Sequence, residues 1–237
     1  MITKPIFSSH FRVLACTNTL TFTDKHRYSE FSTVGEAKTW AEANYGDWAK
    51  RHKEIIAASA RYPESSPLRF PDAMDMYFGD KYNQINEYLR NNSLASSEDH
   101  ALKRDLLVMS ISILSAPVIK EKIILYRQVP EDVFRQLMDD GSYVESGFMS
   151  TSLVKKTCSE ACGGSSYMLK LYVDTVRPIH SVYANLVRER NEMELLLQPE
   201  LKLRIIGQPY YDDDTEKIMC DALLMNAAYS NGCENPA

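Results

Sequence analysis

Two carboxylates one residue apart, Glu192 and Glu194, stand at the head of an apolar run, Leu195-Leu196-Leu197. In a strand alternate side chains share a face, so Glu192, Glu194 and Leu196 are expected on one side, with the acids roughly 7 Å apart. Met193, Leu195 and Leu197 then fall on the other, core-facing side. Two acids on one wall suit chemistry that develops positive charge. A Glu-x-Glu pair in a half-exposed strand can equally be its solvated face, so the choice rests on partners elsewhere.

Arg127 is the first candidate partner. In a strand over residues 123–129 it shares a face with Ile123, Leu125 and Val129. An unpaired buried charge is very costly. Arg127 is therefore expected either to pair with an acid of the fold or to clamp a phosphate or carboxylate, which the planar guanidinium suits. The second is Phe148-Met149-Ser150-Thr151-Ser152, where Phe148, Ser150 and Ser152 share one face. Its hydroxyls could orient a carboxylate and an amide or sugar, or simply edge a sheet. No histidine accompanies Ser150, so a Ser–His nucleophile is not supported. Tyr82, Tyr88 and Asn92 form a third set, in which aromatics at helical spacing serve either core packing or ligand stacking.

The elements that must position these residues change character along the chain. Residues 17–23 alternate Thr with other residues, as a short edge strand does. From Val34 the pattern is helical, with Ala37, Trp40, Ala41, Tyr45, Trp48 and Ala49 at three- and four-residue spacing; Gly46 is expected to divide this run in two. A further helical run covers residues 55–61, and the proline-rich residues 62–71 read as a loop. A helix over 82–90 ends at the stop signal Asn91-Asn92-Ser93. After a polar linker at 93–99, a helix over 102–114 offers Leu106, Leu107, Met109, Ser110, Ile113 and Leu114 for packing. Strands are then expected at 123–129, 147–152, 167–173, 179–183, 193–197, 201–207 and 217–225, with a helix at 131–138 and a turn at 139–141. Asp212-Asp213-Asp214 reads as a solvated turn, and the chain after 230 as a disordered tail. Helices followed by strands is the α+β pattern.

The 237 residues carry a net charge of −5, which argues against nucleic acid as the main partner. No stretch reaches membrane-helix length, so no membrane partner is expected. Met1 to Phe7 lacks the pattern of a secretory signal peptide. The five cysteines, Cys16, Cys158, Cys162, Cys220 and Cys233, are odd in number and irregularly spaced, which suits free thiols rather than a disulfide framework. Cys158-x-x-x-Cys162 has no ligand pair to follow it, and no Gly-rich phosphate loop or metalloprotease motif is present. No metal is expected.

Leu125-Tyr126-Arg127, Phe148-Met149-Ser150-Thr151-Ser152 and Glu192-Met193-Glu194-Leu195-Leu196-Leu197 occur in one order. In that order they resemble the mono-ADP-ribosyltransferases of the Arg/Ser-Thr-Ser/Glu-x-Glu class. The chain looks most like the catalytic domains of the actin-modifying clostridial binary toxins and related bacterial effectors. Ala43-Asn44-Tyr45-Gly46-Asp47-Trp48 and Tyr82-Asn83-Gln84-Ile85-Asn86-Glu87-Tyr88-Leu89 resemble the helical part of those toxins, and the resemblance covers residues 35–225.

The resemblance implies one domain over 1–237: a helical subregion (1–118), a core of two packed, roughly perpendicular antiparallel sheets (119–229) and a tail (230–237). It implies NAD as substrate, nicotinamide release, and transfer of one ADP-ribose to a target protein. Glu194 matches the main catalytic glutamate. Glu192 matches the residue that acts on the acceptor, and Glu rather than Gln there favours arginine. Ser150 would position Glu194, Thr151 and Ser152 would brace the nicotinamide end, and Arg127 would clamp phosphate. Tyr88 matches an aromatic over the reacting ribose, with Tyr82 and Asn92 as further NAD contacts. Gln128 stands where the binary toxins carry a second arginine and joins the NAD-contacting set. The loop 155–164 lacks their aromatic and arginine, and Glu189 stands where a target-recognition aromatic is common. A monomeric effector is expected, secreted or injected without a classical signal peptide and acting in a cytoplasm. An NAD glycohydrolase and a non-enzymatic binding module are the alternatives.

Overall fold

The computed structural model of the protein describes residues 25–66, 68–70, 72–91, 100–161, 164–189 and 192–227. The expected strand at 17–23, the linker at 93–99, the tail after 230 and Asn92 lie outside the described residues.

Helix α1 (Val34–Ser59) starts at a capping box: the Thr33 side chain accepts from the Glu36 N–H, and Glu36 reaches back to the Thr33 N–H. It buries Ala37, Ala41, Tyr45, Trp48 and His52, one stripe at helical spacing. The expected break at Gly46 does not occur. A Cβ there would meet nothing within 4 Å, so the glycine costs only about 1 kcal/mol of helix propensity, too little to interrupt a stripe buried on both sides of it.

Helix α2 (Ala73–Met76) runs through a π-helical turn, Tyr77–Lys81, into α3 (Tyr82–Arg90). Helix α4 (His100–Ser115) buries Met109 and Ile113, while Leu107 and Leu114, expected in the core, face outward. The packing stripe of α4 is therefore narrower than its apolar content suggests.

The strand half begins with β1 (Ile124–Val129), α5 (Glu131–Asp140), β2 (Ser142–Glu145), β3 (Met149–Ser152) and α6 (Lys155–Glu160). Then come β4 (Tyr167–Val173), β5 (Ser181–Tyr183), β6 (Glu194–Leu197), β7 (Leu201–Ile205), β8 (Tyr210–Asp212) and β9 (Lys217–Asn226). Sequence reading missed α2, β2, β8, α6 and the π turn, all short. Residues 139–140 complete α5, which ends at Gly141 with φ 68°, a left-handed cap that glycine adopts freely.

The strands run β2-β7-β9-β4-β1-β3-β6-β5, with β8 on the other part of β9. Two halves are legible in this ladder. Strand β1 pairs with β4 over six positions but with β3 at one, Tyr126↔Ser152. That single pair joins the larger half to β3-β6-β5. The pairing is antiparallel except for β4 with β9, which is parallel, so the core is mixed where all-antiparallel sheets were expected. The buried, non-alternating sequence of β9 suits a central strand covered on both faces.

Three core clusters follow. One lies among the sheet, α1 and α5, with Leu125, Phe134, Leu169, Leu195 and Leu197. A second joins the helical half to the smaller sheet half, with Trp48, Met74, Ile113, Phe148 and Leu196. A third, with Ile124, Tyr126 and Tyr172, lies on the remaining face of the larger half.

Candidate active site

Cross-strand register brings the three sequence motifs into contact. Tyr126 faces Ser152, Ser152 faces Glu194, and Ser150 faces Leu196. Ser150 and Glu194 are thus diagonal neighbours on adjacent strands, a spacing that side chains bridge. The Ser150 Oγ donates to Glu194 Oε1 at 2.5 Å. Arg127 Nη1 donates to the Ser150 carbonyl at 2.8 Å. Glu194 is 4% exposed, so its carboxylate is held by a charge-assisted bond in a largely dry setting.

Strand β6 begins at Glu194, and Met193 has φ 48°. A left-handed methionine is uncommon; here it ends the strand alternation, so Glu192 belongs to the preceding turn and not to the strand. Both acids nevertheless line the same space. Two hydrogen bonds fix the turn: Ser152 Oγ donates to the Glu192 carbonyl at 2.9 Å, and the Leu153 N–H donates to the Met193 carbonyl at 3.1 Å. Leu195 and Leu197 join the sheet core as expected, but Leu196 is equally buried, under the helical half. The strand is covered on both faces, and only its first residue meets the cleft.

Two adjoining cavities, about 390 Å³ and 450 Å³, share Tyr82, Arg127, Ser150, Glu192 and Glu194 in their walls. Gln128, Thr151 and Ser152 line the first; Tyr77, Asn86 and Arg90 line the second. A further recess of about 470 Å³ opens beside Gln128 along Val129, Pro130 and Tyr167.

The two arginines of the cleft are joined by Glu145, which sequence reading missed. Arg90 Nε and Nη2 donate to its two oxygens at 2.8 and 3.0 Å, and Arg127 Nη2 donates to it at 3.2 Å. The Gly147 N–H adds a fourth bond at 3.0 Å. Burial works to raise the Glu145 carboxyl, but the Arg90 bond, the Arg127 and Arg90 charges and the Gly147 N–H together hold it below its usual range. Arg127 therefore pairs with an acid of the fold, the first reading made for it, and it also lines the cleft.

The helical wall is tied on by Asn86. Its Nδ2 donates to the Tyr77 hydroxyl at 2.9 Å, and its Oδ1 accepts from the Phe148 N–H at 2.9 Å. A Cβ on Gly147 would come within 2.8 Å of Asn86 Oδ1, so this close approach requires glycine. Arg188, in the segment before Glu192, reaches the same wall: its Nη1 donates to the Asp75 carbonyl at 3.3 Å.

Other expected residues sit differently. Tyr88 is buried and lines neither cavity, whereas Tyr82, 48% exposed, lines both. The Thr151 hydroxyl donates to the Leu195 carbonyl at 2.6 Å, and that of Ser152 is spent on backbone, so both brace the sheet behind the acids. Gln128 Nε2 donates to the Cys158 and Ala161 carbonyls at the end of α6. Its amide thus ties down that helix, and its Oε1 is buried with no protein partner. Arg90 and Tyr77 carried no expectation, and Asn86 entered only as part of the motif at 82–89, although all three lie in or beside the helix expected at 82–90. Their signal was the set of polar residues on that helix, which periodicity alone does not aim at a cleft. Among the described residues no group of acids, histidines and cysteines could hold a metal ion, and no helix is long and apolar enough to cross a membrane.

No curated protein matches the chain by sequence. Solved structures do match by fold. The ADP-ribosylating toxin BECa of a C. perfringens binary enterotoxin, solved with NADH, aligns with TM-score 0.62 at 20% identity, covering 84% of this chain and 50% of that one. This chain thus spans about half of that toxin's length. The ADP-ribosyltransferase toxin Plx2a from Paenibacillus larvae aligns with TM-score 0.61 at 16% identity, covering 83% and 98%. An ADP-ribosyltransferase from Clostridium botulinum gives 0.59 at 20%, again covering 83% and 98%. The family model described as ADP-ribosyltransferase exoenzyme matches residues 37–227, nearly the whole of the helical and strand halves, and the chain belongs to that family.

Proposed function

We propose that this protein transfers a single ADP-ribose from NAD to an arginine side chain of a target protein, releasing nicotinamide. The observation that carries this reading is the meeting of two cations and two acids in one cleft. Arg90 and Arg127 line it together with Glu192 and with Glu194, which accepts a hydrogen bond from Ser150 at 2.5 Å. A dinucleotide has matching needs, with an anionic diphosphate at its middle and a cationic nicotinamide ribose at one end.

In this reading Arg127 and Arg90 take the diphosphate, for which planar guanidinium groups are suited. Tyr82 offers a ring against the substrate. Glu194 faces the ribose, and its fixed negative charge stabilises the cation that develops as the bond to nicotinamide breaks. Ser150 holds that carboxylate in place. Thr151 and Ser152 act through the backbone, the second by anchoring the turn that carries Glu192. Glu192 receives the acceptor: it orients an incoming guanidinium and takes its proton as the new bond to ribose forms. Tyr88 and Gln128 support α3 and α6 around the substrate, and Asn92 remains a candidate contact. The protein acts as a monomeric effector delivered into a cytoplasm.

Incubation with labelled NAD and a cell lysate tests the reading. Labelled protein is expected, with the label on arginine by mass spectrometry. Glu194→Gln should cut nicotinamide release to a small residual rate, and Glu192→Gln should abolish protein labelling while leaving part of that release. Absence of any transfer refutes the proposal. Free ADP-ribose forming as fast without acceptor protein as with it would make water the acceptor.

A further inference from the structure

Glu145 stands beside the cleft without a part in the chemistry proposed for it. It is 3% exposed, yet it lies at the end of a short strand next to the cavity wall. Two of its bonds come from Arg90, one from Arg127 and one from the Gly147 N–H. The two arginines belong to different elements, α3 and β1, and are separated by 37 positions (127 − 90). Glu145 is the partner they share. With both guanidinium groups bonded to one carboxylate, they lie close enough to repel each other. The Arg90 side chain is 41% exposed and that of Arg127 16%, so without the carboxylate Arg90 is the one free to swing away.

We propose that Glu145 is the positioning residue for the arginine pair: it neutralises their mutual repulsion and holds both with their remaining N–H donors toward the cleft. This rests on the reading of the cleft as a dinucleotide site. Glu145 itself would touch no substrate. Its carboxylate also repels a diphosphate, so two effects of opposite sign compete. Ordering wins if the cost of immobilising two long side chains on binding, about 0.5–1.5 kcal/mol each, has already been met in the free protein. The bidentate Arg90 contact, anchored by a buried acid, is the geometry that meets it.

The test compares wild type with Glu145→Gln and Glu145→Asp. Glu145→Gln is expected to raise the KM for NAD about tenfold and to lower kcat far less, because Ser150 and both catalytic acids are untouched. ADP-ribose binding by calorimetry should weaken by the same factor, while inhibition by nicotinamide is unchanged; a merely structural defect would not split the two. Glu145→Asp keeps the charge but shortens the reach, so it should fall between the two, and it serves where Glu145→Gln folds poorly. In an Arg90→Gln background, Glu145→Gln should have a much smaller effect. Unchanged or tighter ADP-ribose binding in Glu145→Gln overturns the positioning role. Wild type that binds ADP-ribose but releases no nicotinamide overturns the transferase reading instead, and wild type that binds no ADP-ribose overturns both.

Discussion

Ser150→Ala isolates the contact on which the catalytic reading depends. The Ser150 Oγ lies 2.5 Å from Glu194 Oε1, within the range of a hydroxyl donating to a carboxylate, a stronger class of bond than one between neutral groups. Hydrogen bonds to charged groups contribute about 1.5–3 kcal/mol. If the bond holds the carboxylate where ribose charge develops, its loss should lower kcat/KM roughly 10- to 100-fold, at about 1.4 kcal/mol per factor of ten. The fold should survive. Ser150 is exposed to the cleft, and a loss of this size is a minority of a domain's stability, about 5–15 kcal/mol. The assay is nicotinamide release over a range of NAD concentrations, with urea unfolding of the same samples. Combining Ser150→Ala with Glu194→Gln provides the control, since a serine acting through Glu194 should have almost no effect once that charge is gone. A kcat/KM within about twofold of wild type, or an undiminished effect in the double variant, would refute the reasoning.

Asn86→Ala should destabilise the protein by about 2–4 kcal/mol, because it strands the buried Phe148 N–H and Tyr77 hydroxyl that it joins; a urea midpoint within error of wild type would count against this. Gly147→Ala should be comparably damaging, since its Cβ would meet Asn86 Oδ1 at 2.8 Å, and thermal unfolding reads it. The Glu145 carboxyl is held below its usual range, so its contribution to stability is present above the unfolded pKa and is lost as pH falls through the folded one. Wild type should therefore lose more stability than Glu145→Gln between about pH 5 and stronger acid, and parallel unfolding curves would contradict it. Burial pushes the thiols of Cys158 and Cys220 up to about 12, so both should resist iodoacetamide at about pH 8 in the native state and react after denaturation, as peptide mapping by mass spectrometry would check.

Much of the fold was legible because each element carries its own period. The stripe Ala37, Ala41, Tyr45 and Trp48 marks α1, and the apolar density of residues 167–173 marks β4 to the residue. Short elements failed for the same reason: β2 and β8 are too brief to show a period, and the π turn at Tyr77–Lys81 has no period of its own. That turn changes the phase of the helix it feeds. Within α3, Tyr82 and Tyr88 are six positions apart and so lie on different faces; packing decided that the face of Tyr82 meets the cleft and that of Tyr88 the core.

The candidate site divides along the same line. Arg127, Ser150, Glu192 and Glu194 could be chosen from residue type and order, and they do line one cleft. What the chain order left open was which acid answers Arg127. Glu145 does so from a strand that pairs with β7, and it is shared with Arg90 from α3. Such contacts depend on register and on how separate elements pack, and neither is written within any one of them. The same holds for the acids that first drew attention. Sequence determined their identity and their apolar anchor in β6. Only the tertiary structure decided that a left-handed Met193 would part them, with Glu194 fixed in the strand by Ser150 and Glu192 carried on a turn that Ser152 holds in place.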